Sequence, residues 1–470
     1  MRLFSGVTTK LPFLLVIFFS SLSNLAHSEL PDLTATNDER SIANPSYVIG
    51  QYWFRKLNGS NAVIDFPPAY DYLKETLSTI LPQTSLHNKM VEMTLLNSTQ
   101  TNAFVIPGNH LFIYSDIMEM INSEDMLYGL LAHELSHLDL HHYERQQQHT
   151  SEEFHKNMLL IGAGIAAALA GAAPDASAAL WMGGVANQID NSLIYSRAQE
   201  QQADRQGRQY LVDAGLNPHG MTELFQAFLK AALGRPQLEF LSSHPLPQSR
   251  LADSLSTTQQ DSILKNTKNS DFDYFRATLI VYRATLADNP YEYLTQTLKR
   301  SEVSNFAFAL LYYLDNTPDK ALASLNKITK KNRFTNYLLA LVLKANKKIN
   351  QALAIASESL NLAPNDIIFN ALYSELSAQK PKDSYASYLY EKKILWHAKM
   401  DYYQSIRNIP LALNYKAKLE FSQGKEKQAK RLLRRAEEDT FNQDQRLIKE
   451  TRYYFDTITE VQREADIKDE

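Results

Sequence analysis

Residues 130–138 read Leu-Leu-Ala-His-Glu-Leu-Ser-His-Leu, and this stretch contains the pattern His133-Glu134-x-x-His137. Residues four apart lie on the same face of an α-helix, so both imidazoles can reach one metal ion while Glu134 lies beside it. The leucines around the motif give the helix an apolar body that can hold the ligands in place. The stretch therefore predicts a zinc site built on a packed helix, with one Zn²⁺ per chain.

The boundaries of this helix follow from its flanks. Asn122-Ser123 precedes Glu124 and Asp125, which is typical of a capping side chain followed by acids in the first helical turn. We expect the helix to run from Met126 to about Arg145. The histidines outside the motif are expected to face solvent at its outer end; they are His141, His142, His149 and His155.

A third protein ligand is needed for a catalytic zinc site that keeps one position for water. Leu140 and Tyr143 stand where the metzincin pattern has a glycine and a histidine, and His141 lies too far along the helix axis. A distant carboxylate remains. We expect Glu200 to be this ligand, with Asp204 on the same helical face bonding a zinc-binding imidazole. The alternative is two acids on a solvated helix face.

Composition narrows the classes of function. The chain has 470 residues, of which 44% are hydrophobic and 21% charged, as in a soluble protein of two or three domains. Its 48 Lys and Arg against 52 Asp and Glu leave no basic excess, so we expect no nucleic-acid partner. The absence of cysteine excludes disulfides, a thiolate nucleophile and a cysteine-ligated metal, which leaves His, Asp and Glu as metal ligands.

Residues 1–28 are predicted to be a cleavable signal peptide. Arg2 and Lys10 precede an apolar run over 11–19, and Ala26-His27-Ser28 has the form of a signal peptidase site. A membrane anchor is the alternative, but the run is far shorter than the ~20 residues that span a bilayer. We expect export to the periplasm.

A second apolar stretch covers residues 158–186 and is interrupted by Pro174-Asp175. Each half is too short to cross a bilayer. The pattern favours a helical hairpin, either buried or in peripheral contact with lipid, over a transmembrane pair.

The rest of the chain indicates a mainly α protein with a small β-sheet. Strands are predicted at 91–96, 102–106 and 111–114, with a turn at Pro107-Gly108-Asn109. Beyond about residue 261 the chain is almost wholly helix-forming. Alanines recur twelve residues apart there, which predicts tetratricopeptide repeats, with an irregular helical bundle as the alternative; the pairs are Ala309 and Ala321, Ala340 and Ala352, and Ala417 and Ala429.

The motifs in combination resemble the HtpX and CAAX-prenyl-protease type of zinc metallopeptidase. In chain order the motifs are Asn-Ala-Phe-Val-Ile-Pro-Gly at 102–108, H-E-x-x-H at 133–137 and Glu-x-x-Ala-Asp at 200–204. They are followed by Ser-His-Pro at 243–245 and by Arg250. The resemblance implies a zincin-like metallopeptidase domain over 29–260 and a tetratricopeptide-repeat solenoid over 261–470. Asn109-His110 departs from the pattern, which commonly has a second glycine there, so the hairpin turn is expected to differ.

The resemblance also assigns roles to the catalytic residues. It implies that His133, His137 and Glu200 bind zinc and that Glu134 is the general base. Asp204 would support the ligands or donate a proton. A substrate would add itself antiparallel to the strand that contains Asn102, Ala103 and Phe104.

Two further residues carry alternatives. The resemblance implies that His244 is a fourth zinc ligand that displaces water and holds the enzyme latent; otherwise it bonds the transition state or caps the following helix. Arg250 would either hold a substrate carbonyl or anchor the acidic cluster.

With an export signal and repeats, the chain resembles periplasmic members of this type. The resemblance implies an endopeptidase, with an additional chaperone role, in the assembly and quality control of outer-membrane β-barrel proteins. The partners would be unfolded or misassembled outer-membrane proteins and the outer-membrane assembly machinery. The alternative function is a latent or non-catalytic chaperone or adaptor that acts through its repeats and has a structural zinc.

Overall fold

The computed structural model describes residues 39–146, 195–234, 240–241, 244–245, 248–258, 270–298, 301–438, 444–465 and 467. The predicted signal peptide at 1–28 and the predicted apolar hairpin at 158–186 lie outside the described residues. Two short 3₁₀ helices, Leu81–Gln83 and Ser115–Glu119, accompany the α-helices and strands. Among the described residues, no helix has both the length and the apolar character needed to cross a membrane.

The described part of the chain is mostly helical, with one small sheet, as the sequence predicts. The three strands are β1 (Glu92–Leu96), β2 (Ala103–Ile106) and β3 (His110–Tyr114). The helices of the described residues are α1 (Pro45–Asn58), α2 (Pro67–Ile80), α3 (Glu124–Asp139), α4 (His142–Gln146), α5 (Arg197–Asp213), α6 (His219–Gly234), α7 (Gln248–Thr258), α8 (Ser270–Ala284), α9 (Pro290–Thr297), α10 (Glu302–Leu314), α11 (Pro318–Leu325), α12 (Arg333–Ala345), α13 (Ile349–Leu362), α14 (Ile367–Ser377), α15 (Leu389–Ser405), α16 (Ile409–Ser422), α17 (Glu426–Glu438) and α18 (Gln445–Glu464).

The sheet has the strand order β1-β3-β2. Strand β3 is parallel to β1 and antiparallel to β2, and Ile106 pairs with His110 across the predicted turn. Gly108 and Asn109 adopt φ angles of 84° and 58°. Asparagine tolerates this left-handed region. The side-chain amide of Asn109 also donates a hydrogen bond of 2.9 Å to the carbonyl of Asn88. The turn thus forms without the second glycine.

Helix α3 carries the His-Glu motif and begins as its sequence predicts. The Ser123 hydroxyl accepts a hydrogen bond from the amide of Met126, and Glu124 and Asp125 occupy the first turn. The expected extension to about Arg145 is wrong. The helix ends at Asp139, His141 takes a left-handed φ of 49°, and α4 starts at the next residue.

Helices α3 and α5 cross at very close range. Gly207 of α5 lies so near α3 that a Cβ atom there would be 2.8 Å from the carbonyl oxygen of Ala132 and 3.1 Å from the amide of His133. The amino terminus of α5 is set by a capping box between Ser196 and Gln199. This crossing brings the acidic first half of α5 beside the His-Glu motif.

From α8 to α18, each helix packs against the next along the chain. The predicted alanine pairs lie on successive helices of this array, and all six side chains are fully buried. Helix α2 contacts α8, α12 and α15, so one hydrophobic core joins the sheet and α3 to the array. A buried ion pair between Arg55 and Glu426, 2.7 Å long, joins α1 to α17. The boundary at 260/261 stays a prediction.

Candidate metal centre

Four side chains from three parts of the chain converge on one point. His133 and His137 come from α3, Glu200 from α5, and His244 from the segment before α7. One ligand atom of each lies within 4.8 Å of one such atom of every other, and all four side chains are buried. These are the three ligands predicted from the sequence together with the predicted fourth.

The spacing of these donor atoms suits a tetrahedral zinc ion. Ligands at ~2.0–2.1 Å from zinc stand roughly 3.3 Å from one another. Here the Nε2 atoms of His133 and His137 are 3.1 Å apart, and Glu200 Oε1 lies 3.3 Å from His137 Nε2. The Nδ1 atom of His244 is 3.4 Å from His133 Nε2 and 3.0 Å from Glu200 Oε1. The residues present therefore fit the group.

The orientation of His133 supports the same conclusion. Its Nδ1 atom lies 3.0 Å from the carboxylate of Asp204, which favours the ring proton at that nitrogen. The lone pair on Nε2 then faces the His137 nitrogen and the Glu200 carboxylate. Buried lone pairs that face each other repel, and a cation between them removes the repulsion.

Arg250 anchors the acidic side of the cluster. Its Nε and Nη2 atoms bind the two oxygens of Asp204 at 2.6 Å each, and Nη1 lies 2.5 Å from Glu200 Oε2. The same guanidinium donates to the carbonyl of Pro245 at 2.7 Å, next to His244. Of the two roles expected for Arg250, its contacts correspond to anchoring the acids.

These contacts set the charge of the carboxylates. Burial would raise the pKa of Glu200, but the charges and hydrogen bonds of His244 and His137 outweigh it and hold the pKa well below its usual value. Burial likewise opposes ionisation of Asp204, and the hydrogen bonds from Arg250 and His133 lower its pKa below the usual value. Both groups are therefore carboxylates at neutral pH, as metal coordination requires.

Glu134 differs from the other acids in having no hydrogen bond. Neither of its carboxylate oxygens has a hydrogen-bond partner among the described residues, although the side chain is fully buried. Burial raises its pKa, and the nearby rings of His244 and His133 offset this only in part. A carboxylate beside a metal site with free lone pairs and a raised pKa has the chemistry of a general base.

His244 lies between the carboxylates of Glu200 and Glu134. Its Nδ1 atom is 3.0 Å from Glu200, and its Nε2 atom is 3.6 Å from Glu134. Phe240 stacks on the ring at 4.7 Å, and the amide of His244 donates to the Phe240 carbonyl. The amide of Phe240 in turn donates to the carbonyl of Thr101, just before β2. The ring thus occupies space next to both the candidate metal position and Glu134.

The predicted substrate strand lies at an edge of the sheet. Ala103 and Phe104 belong to β2, the outer neighbour of β3, and the carbonyl of Asn102 accepts a hydrogen bond from Tyr114. Phe104 stacks on Phe112 at 4.9 Å and is buried. The Phe104 side chain therefore serves the core of the sheet.

Two residues at the centre were not predicted from the sequence. The ring of Tyr195 stacks on His137 at 3.8 Å. His142 was expected to face solvent, but it is fully buried and its Nδ1 atom lies 3.0 Å from Nδ1 of His137. The break in the helix at His141 turns the next residue inward, which a continuous helix would not do. His141 itself is about half exposed, as expected, with 47% of its side chain accessible.

Comparison with known proteins agrees with this geometry. Residues 69–258 match the model of peptidase family M48. The match covers every residue of the cluster. It confirms the metallopeptidase resemblance that the sequence motifs predict.

Individual relatives match over a similar stretch. The chain is 28% identical over 258 residues to the beta-barrel assembly-enhancing protease of Escherichia coli (strain K12), which covers 54% of this chain and 52% of that protein. The putative beta-barrel assembly-enhancing protease of Vibrio cholerae is 24% identical over 255 residues, which again cover 54% of this chain and 52% of that protein. The mitochondrial metalloendopeptidase OMA1 of Schizosaccharomyces pombe is 26% identical over 224 residues, which cover 45% of this chain and 59% of that protein. The chain spans about half the length of the relatives it matches.

Proposed function

We propose that this chain is a zinc-dependent endopeptidase in which His133, His137 and Glu200 hold zinc and Glu134 is the general base. The observation that carries the proposal is the buried cluster of donor atoms within 4.8 Å, with the unbonded Glu134 carboxylate beside it. The M48 family match supports the same chemistry.

The chain's own groups divide the work of hydrolysis. Bound zinc supplies Lewis-acid polarisation of a carbonyl and acidification of water. Glu134 accepts the proton of the attacking water and delivers it to the leaving amine. Asp204 holds the His133 ring, and Arg250 holds both Asp204 and Glu200. Because Asp204 is bonded to Arg250 and His133, positioning is the role we assign to it.

A substrate would join the sheet at β2. In the antiparallel register, residues 102, 104 and 106 bond to β3, so the backbone groups of Ala103 and Val105 point to the outer edge. Both residues are buried, so the segments that cover this edge would have to move aside before an extended peptide adds itself there through main-chain hydrogen bonds. This mode suits unfolded protein as a substrate.

His244 would keep the resting enzyme latent. A neutral imidazole that completes four protein ligands leaves no position for water. The ring is held by Phe240, whose amide is bonded to Thr101 at the start of the same edge. A peptide that binds along β2 would compete with this segment, so that substrate binding and release of His244 are coupled. This closed set of donors also favours the second candidate function, a chaperone or adaptor with a structural zinc.

We extend the proposal to the cellular role. The relatives from Escherichia coli and Vibrio cholerae are named for β-barrel assembly, and residues 1–28 have the pattern of an export signal. The chain would act in the periplasm on unfolded or misassembled outer-membrane proteins, near the assembly machinery and in peripheral contact with the membrane. An added chaperone role would belong to the helices after residue 261.

The helical array is the proposed docking surface. Successive packed helices with buried alanine pairs support tetratricopeptide-type repeats. A cavity of 310 Å³ lies between the array and residues 58–70, and its wall includes the acids Asp65, Glu375 and Asp401 beside Lys393. Its mixed apolar and charged wall suits a segment of unfolded chain.

The substitution Glu134→Gln tests the proposal and separates the two functions. We expect casein cleavage by the purified protein to fall by at least ~100-fold, because the base is lost, while the zinc content stays at one per chain. Glu223→Gln, the same change at an exposed position on α6, is the matched control and should leave cleavage unchanged. Cleavage by Glu134→Gln at the wild-type rate would overturn the assignment of the base. If the wild type and His244→Ala both bind zinc but neither cleaves casein, the chaperone or adaptor function is favoured.

A further inference from the structure

His142 is linked to a proposed zinc ligand on one side and to α5 on the other. Its Nδ1 atom lies 3.0 Å from Nδ1 of His137, and its Nε2 atom lies 3.1 Å from the side-chain oxygen of Gln202. Its backbone carbonyl accepts a hydrogen bond of 2.9 Å from the side-chain amide nitrogen of Gln199. The side-chain oxygen of Gln199 accepts a hydrogen bond from the backbone amide of Ser196 at the amino terminus of α5. The His142 side chain is fully buried.

The direction of these hydrogen bonds follows from what each atom can do. The carbonyl oxygen of Gln202 can only accept, so Nε2 of His142 carries the proton. The neutral ring then has its lone pair on Nδ1 and accepts the Nδ1 proton of His137. Because a neutral imidazole has one proton, Nε2 of His137 is left with a lone pair. That atom is 3.1 Å from His133 Nε2 and 3.3 Å from Glu200 Oε1, inside the donor cluster.

The backbone between the two histidines makes this contact. In an uninterrupted α-helix, position 142 would be turned by ~140° from position 137 and would face away from it. His141 adopts a φ of 49° instead, ends the run of α3 and lets α4 begin at His142. A non-glycine residue is strained in the left-handed region, because its Cβ atom crowds the following carbonyl oxygen. The fold accepts this strain next to the metal centre, where it turns His142 inward.

We propose that His142, oriented by Gln202, is a positioning residue that fixes His137 in the tautomer whose Nε2 atom binds zinc. The chain of contacts runs from Gln202 on α5 through His142 to His137 on α3. It ties the orientation of one zinc-binding ring to the helix that supplies Glu200. This inference rests on the proposed function, in that the cluster must bind zinc.

Zinc affinity provides the first test. We measure the zinc Kd of the full-length protein by competition with a chromophoric chelator. His142→Ala should raise Kd by about 10–100-fold, the usual effect of losing the partner of a metal-binding histidine. His142→Asn keeps an acceptor close to the position of Nδ1 and should restore part of the affinity. Gln202→Ala changes only a side chain at the protein surface and should raise Kd in the same direction by a smaller factor.

His87→Ala is the matched control, because it makes the same change at an exposed histidine outside the chain of contacts. It should leave Kd within about twofold. If His142→Ala and Gln202→Ala bind zinc as tightly as the wild type, the positioning role is wrong while the zinc site stands. If the wild type binds no zinc, the proposed function fails instead.

The tautomer itself is visible without metal. Long-range ¹H–¹⁵N correlation spectra of the histidine-labelled, chelator-treated protein distinguish a proton on Nδ1 from one on Nε2. We expect His137 protonated at Nδ1 and His142 at Nε2, with Gln202→Ala weakening this preference. The opposite pair of tautomers in the wild type would overturn the inference whether or not zinc binds.

Discussion

The close crossing of α3 and α5 can be tested by adding one methyl group. Gly207→Ala places a Cβ atom 2.8 Å from the carbonyl oxygen of Ala132, where ordinary contact begins at 3.4 Å. The obstacles are backbone atoms of α3, including the amide of His133, and backbone cannot rotate aside. The two helices must therefore separate locally by roughly 0.6 Å, the difference between these two distances.

The size of the effect follows from two opposing terms. Alanine in place of glycine stabilises a helix interior by about 1 kcal/mol, whereas overpacking a buried contact costs about 1–3 kcal/mol. We expect the free energy of unfolding of Gly207→Ala to decrease by ~0–2 kcal/mol. The zinc site is more sensitive, since ligand distances tolerate only ~0.2 Å. Glu200 lies on the same helix two turns earlier, so zinc Kd should rise by at least ~10-fold.

Chelator competition measures the zinc Kd, and urea unfolding of the chelator-treated protein measures stability. The matched control is Arg205→Ala on the same helix, where 71% of the side chain is exposed, and it should change stability by no more than ~0.5 kcal/mol. The close contact is refuted if Gly207→Ala binds zinc as tightly as the wild type and is more stable by the full ~1 kcal/mol of helix propensity. That result would mean that the two helices do not touch at this point.

Two further predictions concern latency and pH. His244→Ala should increase casein cleavage, because it opens a coordination position beside Glu134; unchanged or lower cleavage at full zinc occupancy would contradict the latent state. His110 is buried, stacks on Phe54 and accepts a hydrogen bond from Gln51, and burial holds its pKa well below the usual 6.5. As pH falls below 6.5, His110 binds a proton in the unfolded chain but stays neutral in the folded chain. The free energy of unfolding therefore decreases as pH falls below 6.5. Urea unfolding of the chelator-treated protein should show wild-type stability falling more steeply than that of His110→Gln, by up to ~1.4 kcal/mol per pH unit; equal slopes would show that His110 titrates normally.

Much of the local structure could be predicted because it depends on neighbours in the chain. The capping residues and acids at 122–125 specify the start of α3, and Pro107-Gly108-Asn109 specifies the hairpin. The spacing of His133 and His137 by four residues needs only helical geometry to place both rings on one face. Helix α5 likewise presents Glu200 and Asp204 together, as their spacing predicts.

The errors lie where a local preference is overridden by tertiary contacts. The run of polar residues after Asp139 is compatible with a continuing helix, and nothing in it marks His141 for a left-handed conformation. Burial of His142 against His137 and Gln202 compensates for that strain. Tyr195 was missed for a related reason, since an aromatic residue far along the chain gives no sign of the ring on which it stacks.

The amino-acid sequence by itself determined the start of the helix that carries the motif, the hairpin, the absence of cysteine ligands and the four side chains of the donor cluster. Only the tertiary structure decided that Gly207 lets α5 approach α3, that Phe240 holds His244 against Glu200, and that Arg250 joins the two acids. The physical reason is that spacing along a chain fixes which side chains share a face. The distance between two faces depends on how closely the backbones pack, and at this centre a few tenths of an ångström separate a ligand from a neighbour.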